Sequence, residues 1–131
     1  MSKSFSTSIP FTESQKHAIK GITLIIKNEK NFRIQILIAT VVVLIGLLLN
    51  ISHMDWIAVG FLIALVLITE AFNSVIEAVC DTVSKDYRVN IKYAKDVSAG
   101  AVLISTLLSI TLGLIIFLPY IIPIIENFLN Q

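Results

Sequence analysis

Three carboxylates and one asparagine recur along one stretch of the chain at the spacing of helical turns. They are Glu70, Asn73, Glu77 and Asp81. At about 100° per residue these positions fall within a stripe about 80° wide, so they share one face of a helix. Stacked like charges repel one another, and a hard cation or basic side chains would neutralise them. The stripe therefore suits a metal ion, or a polyanion that brings a metal ion with it. Magnesium with bound phosphates is such a ligand.

Two other short stretches carry groups that could belong to the same site. Asn28 and Glu29 offer oxygen ligands ahead of the first long apolar run, and Lys95 and Asp96 stand at the start of the third. These groups come from segments that are distant in sequence. Whether they meet depends on the elements that carry them.

The composition indicates that those elements span a membrane. Of 131 residues, 56% are hydrophobic and 15% are charged, which is unusual for a water-soluble domain of this size. Ten Lys and Arg against nine Asp and Glu leave a net charge of +1, so nothing global favours a nucleic-acid partner. One cysteine and two histidines exclude an intramolecular disulfide and a structural zinc framework.

Three apolar runs are long enough to cross a hydrocarbon core about 30 Å thick. They predict an all-α membrane protein with spans over residues 33–51, 56–84 and 96–119. Pro119 and Pro123 predict that the regular part of the third helix stops there. A signal peptide is the alternative for the first run, but the segment ahead of it contains acidic and amphipathic residues, and no cleavage pattern follows it.

The basic residues predict how these spans are oriented. All ten Lys and Arg lie either ahead of the first span or between the second and third. By the positive-inside rule, the N-terminus and the 82–96 loop are cytoplasmic, and the 50–55 turn and the C-terminus lie on the far side.

The second span begins at Trp56, which places Glu70 about 21 Å along that helix. Glu70 and Asn73 then lie at the cytoplasmic edge of the hydrocarbon, where an exposed carboxylate is not solvated. Asp81 lies further out, where an ordinary surface ion pair with a loop lysine is an equal alternative. The residues alone predict a polar site at this edge and do not specify its reaction.

Ahead of the first span, residues 12–30 predict an amphipathic helix on the inner membrane surface. Thr12 and Gln15 have the spacing of a capping box at its start. Residues 1–10 carry no periodic pattern and predict a mobile tail, which leaves residues 11–131 as one membrane domain.

Three spans leave little room for an internal cavity. We therefore expect a homo-oligomer that buries the stripe between protomers. Small residues on the third span would permit close contact between helices, and they are Ala99, Gly100, Ala101, Ser105 and Ser109.

The polar motifs resemble those of a known family. They read EAFNSVIEAVCD over residues 70–81, then Tyr87, then AKDVSAGAVL over residues 94–103. This order is similar to the signature of the small prokaryotic diacylglycerol kinases, which include the undecaprenol kinases. NEKNFR over residues 28–33 resembles the family's second motif, and the resemblance covers roughly residues 11–118.

The resemblance implies a homotrimeric lipid kinase of the bacterial inner membrane. It would transfer the γ-phosphoryl group of ATP to a lipid hydroxyl at the cytoplasmic face, on diacylglycerol or on undecaprenol. By the same resemblance, Glu70 would be the general base that takes the hydroxyl proton. Asn73 would help to organise the site.

The resemblance also implies how the nucleotide is held. Glu29 and Glu77 would bind the magnesium that bridges the phosphates. Lys95 would neutralise phosphate charge, and Asp96 and Asp81 would place the nucleotide or the supporting side chains. These roles suit phosphoryl transfer, which needs metal and cationic charge together with an oriented nucleophile.

Two departures from the family pattern leave the acceptor lipid open. Residue 35 is Gln, where the enteric members that use diacylglycerol carry an acid, and residue 99 is Ala, where they carry Ser. The AGAV stretch over residues 99–102 instead resembles the undecaprenol kinases of Gram-positive bacteria.

Two other functions compete with the kinase. A small proton or cation conductor would line its pathway with Glu70 and Glu77, but it would also need polar groups through the outer leaflet, and Trp56 to Thr69 contains no charge. A non-catalytic lipid-binding subunit is disfavoured because every residue of the implied site is intact.

Overall fold

The computed structural model describes residues 10–83 and 89–130, and within them it contains four α-helices and no β-strand. The helices are α1 (Phe11–Asn28), α2 (Lys30–Leu49), α3 (His53–Val83) and α4 (Val89–Leu129). Helices α2, α3 and α4 are long and apolar enough to cross a membrane. The predicted all-α architecture is therefore confirmed, with three helices that are candidate membrane spans.

Residues 1–9, 84–88 and 131 lie outside the described residues. The predicted mobile tail falls almost wholly within them, and so does the centre of the basic 82–96 loop. The last residue of the second predicted span and Tyr87 of the family motif lie there too.

Helix α1 begins one residue earlier than predicted, directly after Pro10. Pro10 has an extended ψ of 141°, which turns the chain into the helix, so Thr12 lies within the first turn and cannot act as the N-cap. Within the described part of the chain, no side chain caps this end. The predicted capping box of Thr12 and Gln15 was therefore wrong.

A sharp break at Glu29 separates α1 from α2, so the helix predicted over residues 12–30 ends before it. Glu29 has extended backbone angles, with φ −96° and ψ 113°. The Nη1 group of Arg33 donates to the carbonyls of Ile26 at 3.1 Å and Lys27 at 2.7 Å. A helix leaves the carbonyls of its last turn unpaired. Arg33 therefore stabilises the corner by capping α1 from within α2.

At the opposite end of α2, a tight turn leads into α3. Asn50 adopts the left-handed conformation there, with φ 50°, which asparagine tolerates better than most residues. Gly46 is buried against the Trp56 ring. The Tyr120 hydroxyl of α4 donates to Asp55 of α3 at 2.6 Å. Residues of all three helices thus meet at this end.

Helix α3 packs chiefly on α4, and small hydroxyl side chains lie along their contact. The hydroxyls of Thr69 and Ser105 are 2.8 Å apart, and Ser109 donates to the Leu62 carbonyl at 3.4 Å. Of the small residues expected to permit close contact, Ser105 and Ser109 are used here, whereas Ala99 and Ala101 are exposed. Close packing of α3 on α4 positions the polar stripe of α3.

The regular part of α4 does not stop at Leu118, as the prolines had predicted, but continues through Pro119 and Pro123 to Leu129. Each proline removes only its own backbone donor, and the two lie one turn apart, so both missing bonds fall on one side of the helix. The Tyr120 contact with α3 also holds this part of α4 in place. The predicted end of the third helix was therefore wrong.

Replacing Gly46 with Ala will destabilise the packing of α2 on α3. A Cβ atom at residue 46 would lie 2.9 Å from the Trp56 ring and 3.2 Å from Ile51 Cδ1. Overpacking of this kind costs about 1–3 kcal/mol. We expect a lower unfolding free energy in detergent for Gly46→Ala, whereas Gly60→Ala, where a Cβ atom has nothing within 4 Å, should not lose stability. Equal stability of the two variants would contradict this packing.

Candidate active site

The carboxylate of Glu70 is buried between two spans. Glu70 is 3% exposed, and its Oε2 accepts a hydrogen bond of 3.0 Å from Nε2 of Gln35 on α2. A buried carboxylate is costly unless a donor satisfies it. Gln35 supplies that donor, and the carboxylate keeps its second oxygen, Oε1, for another partner.

An apolar groove meets this pair. A cavity of about 430 Å³ lies between α2, α3 and α4, and among the described residues the polar ones that line it are Gln35, Thr106 and Ser109. Its other lining residues on α2 and α3 include Val42, Ile45, Leu62 and Val66. Of the groove residues on α2, Gln35 lies nearest the start of the helix. The polar end of the groove is therefore the end at which Gln35 contacts Glu70. The groove can hold a hydrocarbon chain whose polar end reaches Gln35.

The carbonyl oxygen of Gln35 is left without a partner. Oε1 of Gln35 is buried and accepts no hydrogen bond within the described part of the chain. An orphaned buried acceptor is uncommon and costs free energy. A ligand that carries a hydroxyl donor would satisfy it.

A second set of hydrogen-bonded polar side chains lies one to two turns further along α3. Asn73, which is 8% exposed, donates through Nδ2 to Glu77 Oε1 at 2.9 Å. The Ser98 hydroxyl of α4 donates to Asn73 Oδ1 at 2.6 Å. Glu77 itself is half-buried. Its Oε2 has no hydrogen-bond partner among residues 10–83 and 89–130 and can bind an external ligand.

Beyond Glu77 the stripe reaches solvent. Asp81 is exposed, and its Oδ1 lies 2.6 Å from Nζ of Lys95. Asp96 is also exposed and lies 3.9 Å from Lys92 on its own helix. The ion pair of Asp81 with Lys95 fits the surface alternative considered for Asp81, and it also places a cation close to Glu77.

Glu29 is half-buried at the corner between α1 and α2, and its side chain does not cap α2. Among residues 10–83 and 89–130, no hydrogen bond or ion pair joins Glu29 or Asp96 to Glu77, and no group of three His, Cys, Asp or Glu could hold a metal. Magnesium in phosphoryl-transfer sites is held by one or two carboxylates together with substrate phosphates. The half-buried carboxylate of Glu77 fits that pattern as one ligand.

Sequence reasoning missed three contacts at or beside the candidate site. Gln35 was noted as a departure from the family and not as the partner of Glu70. Ser98 and Arg33 received no role. A polar residue at the depth of Glu70 on the first span was the available signal for Gln35, whereas the direction of the Ser98 hydroxyl depends on how α4 is rotated against α3.

The comparisons with known proteins agree with the family resemblance. The sequence profile described as prokaryotic diacylglycerol kinase matches residues 16–117. The chain is 34% identical over 109 residues to the undecaprenol kinase of Bacillus subtilis. The aligned region covers 83% of this chain and 89% of that protein. It is also 34% identical over 110 residues to the diacylglycerol kinase of a Synechocystis species. This second aligned region covers 81% of this chain and 61% of that protein.

The fold and the site define a helical membrane protein with a carboxylate site between its spans. The chain belongs to the prokaryotic diacylglycerol kinase family, as its motifs predicted, and it is a lipid kinase. The family also indicates ATP as the phosphoryl donor. These findings favour the kinase over the conductor and the non-catalytic subunit.

Replacing Gln35 with Leu will leave the Glu70 carboxylate buried without its donor. We expect the unfolding free energy in detergent to fall by about 1–3 kcal/mol, because a buried acceptor then loses its hydrogen bond. The double variant Gln35→Leu with Glu70→Leu should recover most of that loss, because no polar group remains to be satisfied. Additive losses in the double variant would contradict the pairing.

Proposed function

We propose that the chain phosphorylates the hydroxyl of a polyprenol such as undecaprenol, using ATP and magnesium at the cytoplasmic face of the bacterial inner membrane. The observation that carries this proposal is the buried Glu70 carboxylate, which is bonded to Gln35, a polar residue that lines an apolar groove. A base in that position meets a hydroxyl that enters from the lipid phase.

The polarity of the groove favours a polyprenol over diacylglycerol. A polyprenol is a hydrocarbon with a single hydroxyl, whereas diacylglycerol also carries two ester groups whose oxygens only accept hydrogen bonds. The free atom of Gln35 at this end is itself an acceptor, and its Nε2 is engaged by Glu70. Two acceptors cannot pair, so the end of the groove satisfies a hydroxyl better than an ester. The undecaprenol kinase of Bacillus subtilis is similar along most of its length.

In the proposed reaction Glu70 is the general base. The lipid hydroxyl, first held at Gln35 Oε1, turns its one proton to Glu70 Oε1, while Gln35 Nε2 holds Glu70 Oε2. The lipid oxygen then forms a bond to the γ-phosphorus, the bond from that phosphorus to the bridging oxygen breaks, and ADP leaves. A well-placed base contributes about 10²- to 10⁴-fold to such a step.

The charge of the phosphates would be met by residues further along the stripe. Glu77, held by Asn73, and Glu29 would bind magnesium, which supplies positive charge to the phosphates and orients them. Lys95, which lies against Asp81, would neutralise phosphate charge as the lipid oxygen attacks. Asp96 and Asp81 would place the nucleotide or the side chains that support it.

A homotrimer would complete this site. Within one chain Glu29 and Asp96 are not joined to Glu77 by any contact of the described residues. Most large apolar side chains of α2, α3 and α4 are also exposed in the single chain. A neighbouring protomer would cover part of that surface and bring the remaining ligands to the stripe. In this arrangement α1 lies on the inner membrane surface.

Purified protein in mixed micelles will transfer phosphate from ATP to undecaprenol in the presence of magnesium, with a higher kcat/KM than for diacylglycerol. Glu77→Gln should lose magnesium-dependent turnover and keep the wild-type oligomer, because it removes charge without changing shape. Radiolabelled ATP and lipid extraction measure both acceptors. Preference for diacylglycerol would overturn the acceptor assignment, and normal turnover by Glu77→Gln would overturn the metal role.

Filling the groove will impair lipid binding selectively. Val42 lines the groove, whereas its neighbour Val41 is 47% exposed and does not. We expect Val42→Phe to raise the KM for undecaprenol about tenfold and to leave the KM for ATP unchanged, since a ring occupies the space of the chain. Val41→Phe is the matched control and should behave as wild type. The same effect in both variants would contradict a lipid in this groove.

A further inference from the structure

Ser98 of α4 is buried against the polar stripe of α3. It is 6% exposed, and its hydroxyl lies 2.6 Å from Asn73 Oδ1 and 2.9 Å from the Lys95 carbonyl of its own helix. Asn73 in turn donates to Glu77 Oε1 at 2.9 Å. The hydroxyl of Ser98 is thus connected to the carboxylate of Glu77 through one amide.

The chemistry of Ser98, Asn73 and Glu77 determines which group donates and which accepts in each of these hydrogen bonds. An ionised carboxylate only accepts hydrogen bonds, so Asn73 must turn its amide NH₂ group towards Glu77. Its oxygen then faces Ser98, whose one proton goes to Asn73 Oδ1 at 2.6 Å in preference to the Lys95 carbonyl at 2.9 Å. The reversed amide would set an oxygen against a carboxylate oxygen and leave both without a donor. The Ser98 hydroxyl therefore selects the amide orientation that Glu77 requires.

We propose that Ser98 is a positioning residue of the kinase site, whose hydroxyl fixes the Asn73 amide and thereby aligns the Glu77 carboxylate for a divalent cation. The inference rests on the proposed function of Glu77 as a metal ligand. Without the hydroxyl, the buried Asn73 oxygen loses its donor, and the amide is held by its bond to Glu77 alone. Glu77 then loses a hydrogen bond and must be ordered when the cation binds. Residues that orient a metal ligand commonly affect metal affinity by about 10- to 100-fold.

Ser105 provides a matched control on the same helix. It is 4% exposed, it lies 2.8 Å from the hydroxyl of Thr69 on α3, and it donates to the Val102 carbonyl of its own helix at 2.8 Å. It therefore has the burial and the two kinds of contact that Ser98 has. Its partner on α3 lies outside the polar stripe.

The test measures Mn²⁺ binding by electron paramagnetic resonance, on the full chain in micelles with a non-hydrolysable ATP analogue. Ser98→Ala should weaken Mn²⁺ binding about tenfold and raise the KM for magnesium to a similar extent, with the KM for undecaprenol unchanged. Ser98→Thr keeps a hydroxyl and should bind Mn²⁺ as wild type does. Ser105→Ala should also match wild type.

Unchanged Mn²⁺ affinity in Ser98→Ala would overturn the proposal and leave the kinase function intact. An equal loss in Ser105→Ala, or a loss in Ser98→Thr as large as in Ser98→Ala, would overturn it as well, because the effect would then come from packing. A wild-type protein that neither binds Mn²⁺ nor needs a divalent cation for turnover would overturn the role of Glu77 and this inference together.

Discussion

A carboxylate within a largely apolar set of helices is the constraint on which the rest of the site depends. Glu70 is almost completely buried, and a charge in that position is stable only with a donor beside it. The donor comes from Gln35, so α2 must cross α3 at the level where the two side chains meet. The Arg33 cap and the turn at Asn50 set where α2 begins and ends. Gln35 also lines an apolar groove, which connects the buried pair to an apolar surface between the helices.

The burial of the polar stripe also changes from one end of α3 to the other. Glu70 and Asn73 are buried, Glu77 is half-buried, and Asp81 is exposed beside Lys95. This gradient matches the two substrates of a lipid kinase, because the acceptor hydroxyl comes from the hydrocarbon and the nucleotide comes from water. The buried end suits proton transfer from a lipid, and the exposed end suits phosphate and metal. One helical face can therefore serve both substrates across a membrane boundary.

The spans and the stripe could be predicted because they follow from local geometry, namely the length of apolar runs and the rotation of about 100° per residue. The motifs around Glu29, Glu70 and Lys95 were enough to predict the family. The pairing of Gln35 with Glu70 could not be predicted, because it depends on the register of α2 against α3. The same holds for Ser98, whose direction is set by helix packing. The continuation of α4 past Pro119 was missed because the sequence shows the cost of a proline but not the contacts that offset it. The contact of Tyr120 with Asp55 joins residues that are far apart in the sequence.

The most direct test of this account is to compare nucleotide binding and phosphoryl transfer in Glu70→Gln. The amide keeps the shape of the side chain and can still accept the hydrogen bond from Gln35, but it cannot take a proton. The account predicts wild-type affinity for magnesium with an ATP analogue, and a fall in turnover of about 10²- to 10⁴-fold. Turnover within a few-fold of wild type, in a variant that is folded and oligomeric, would show that Glu70 is not the base.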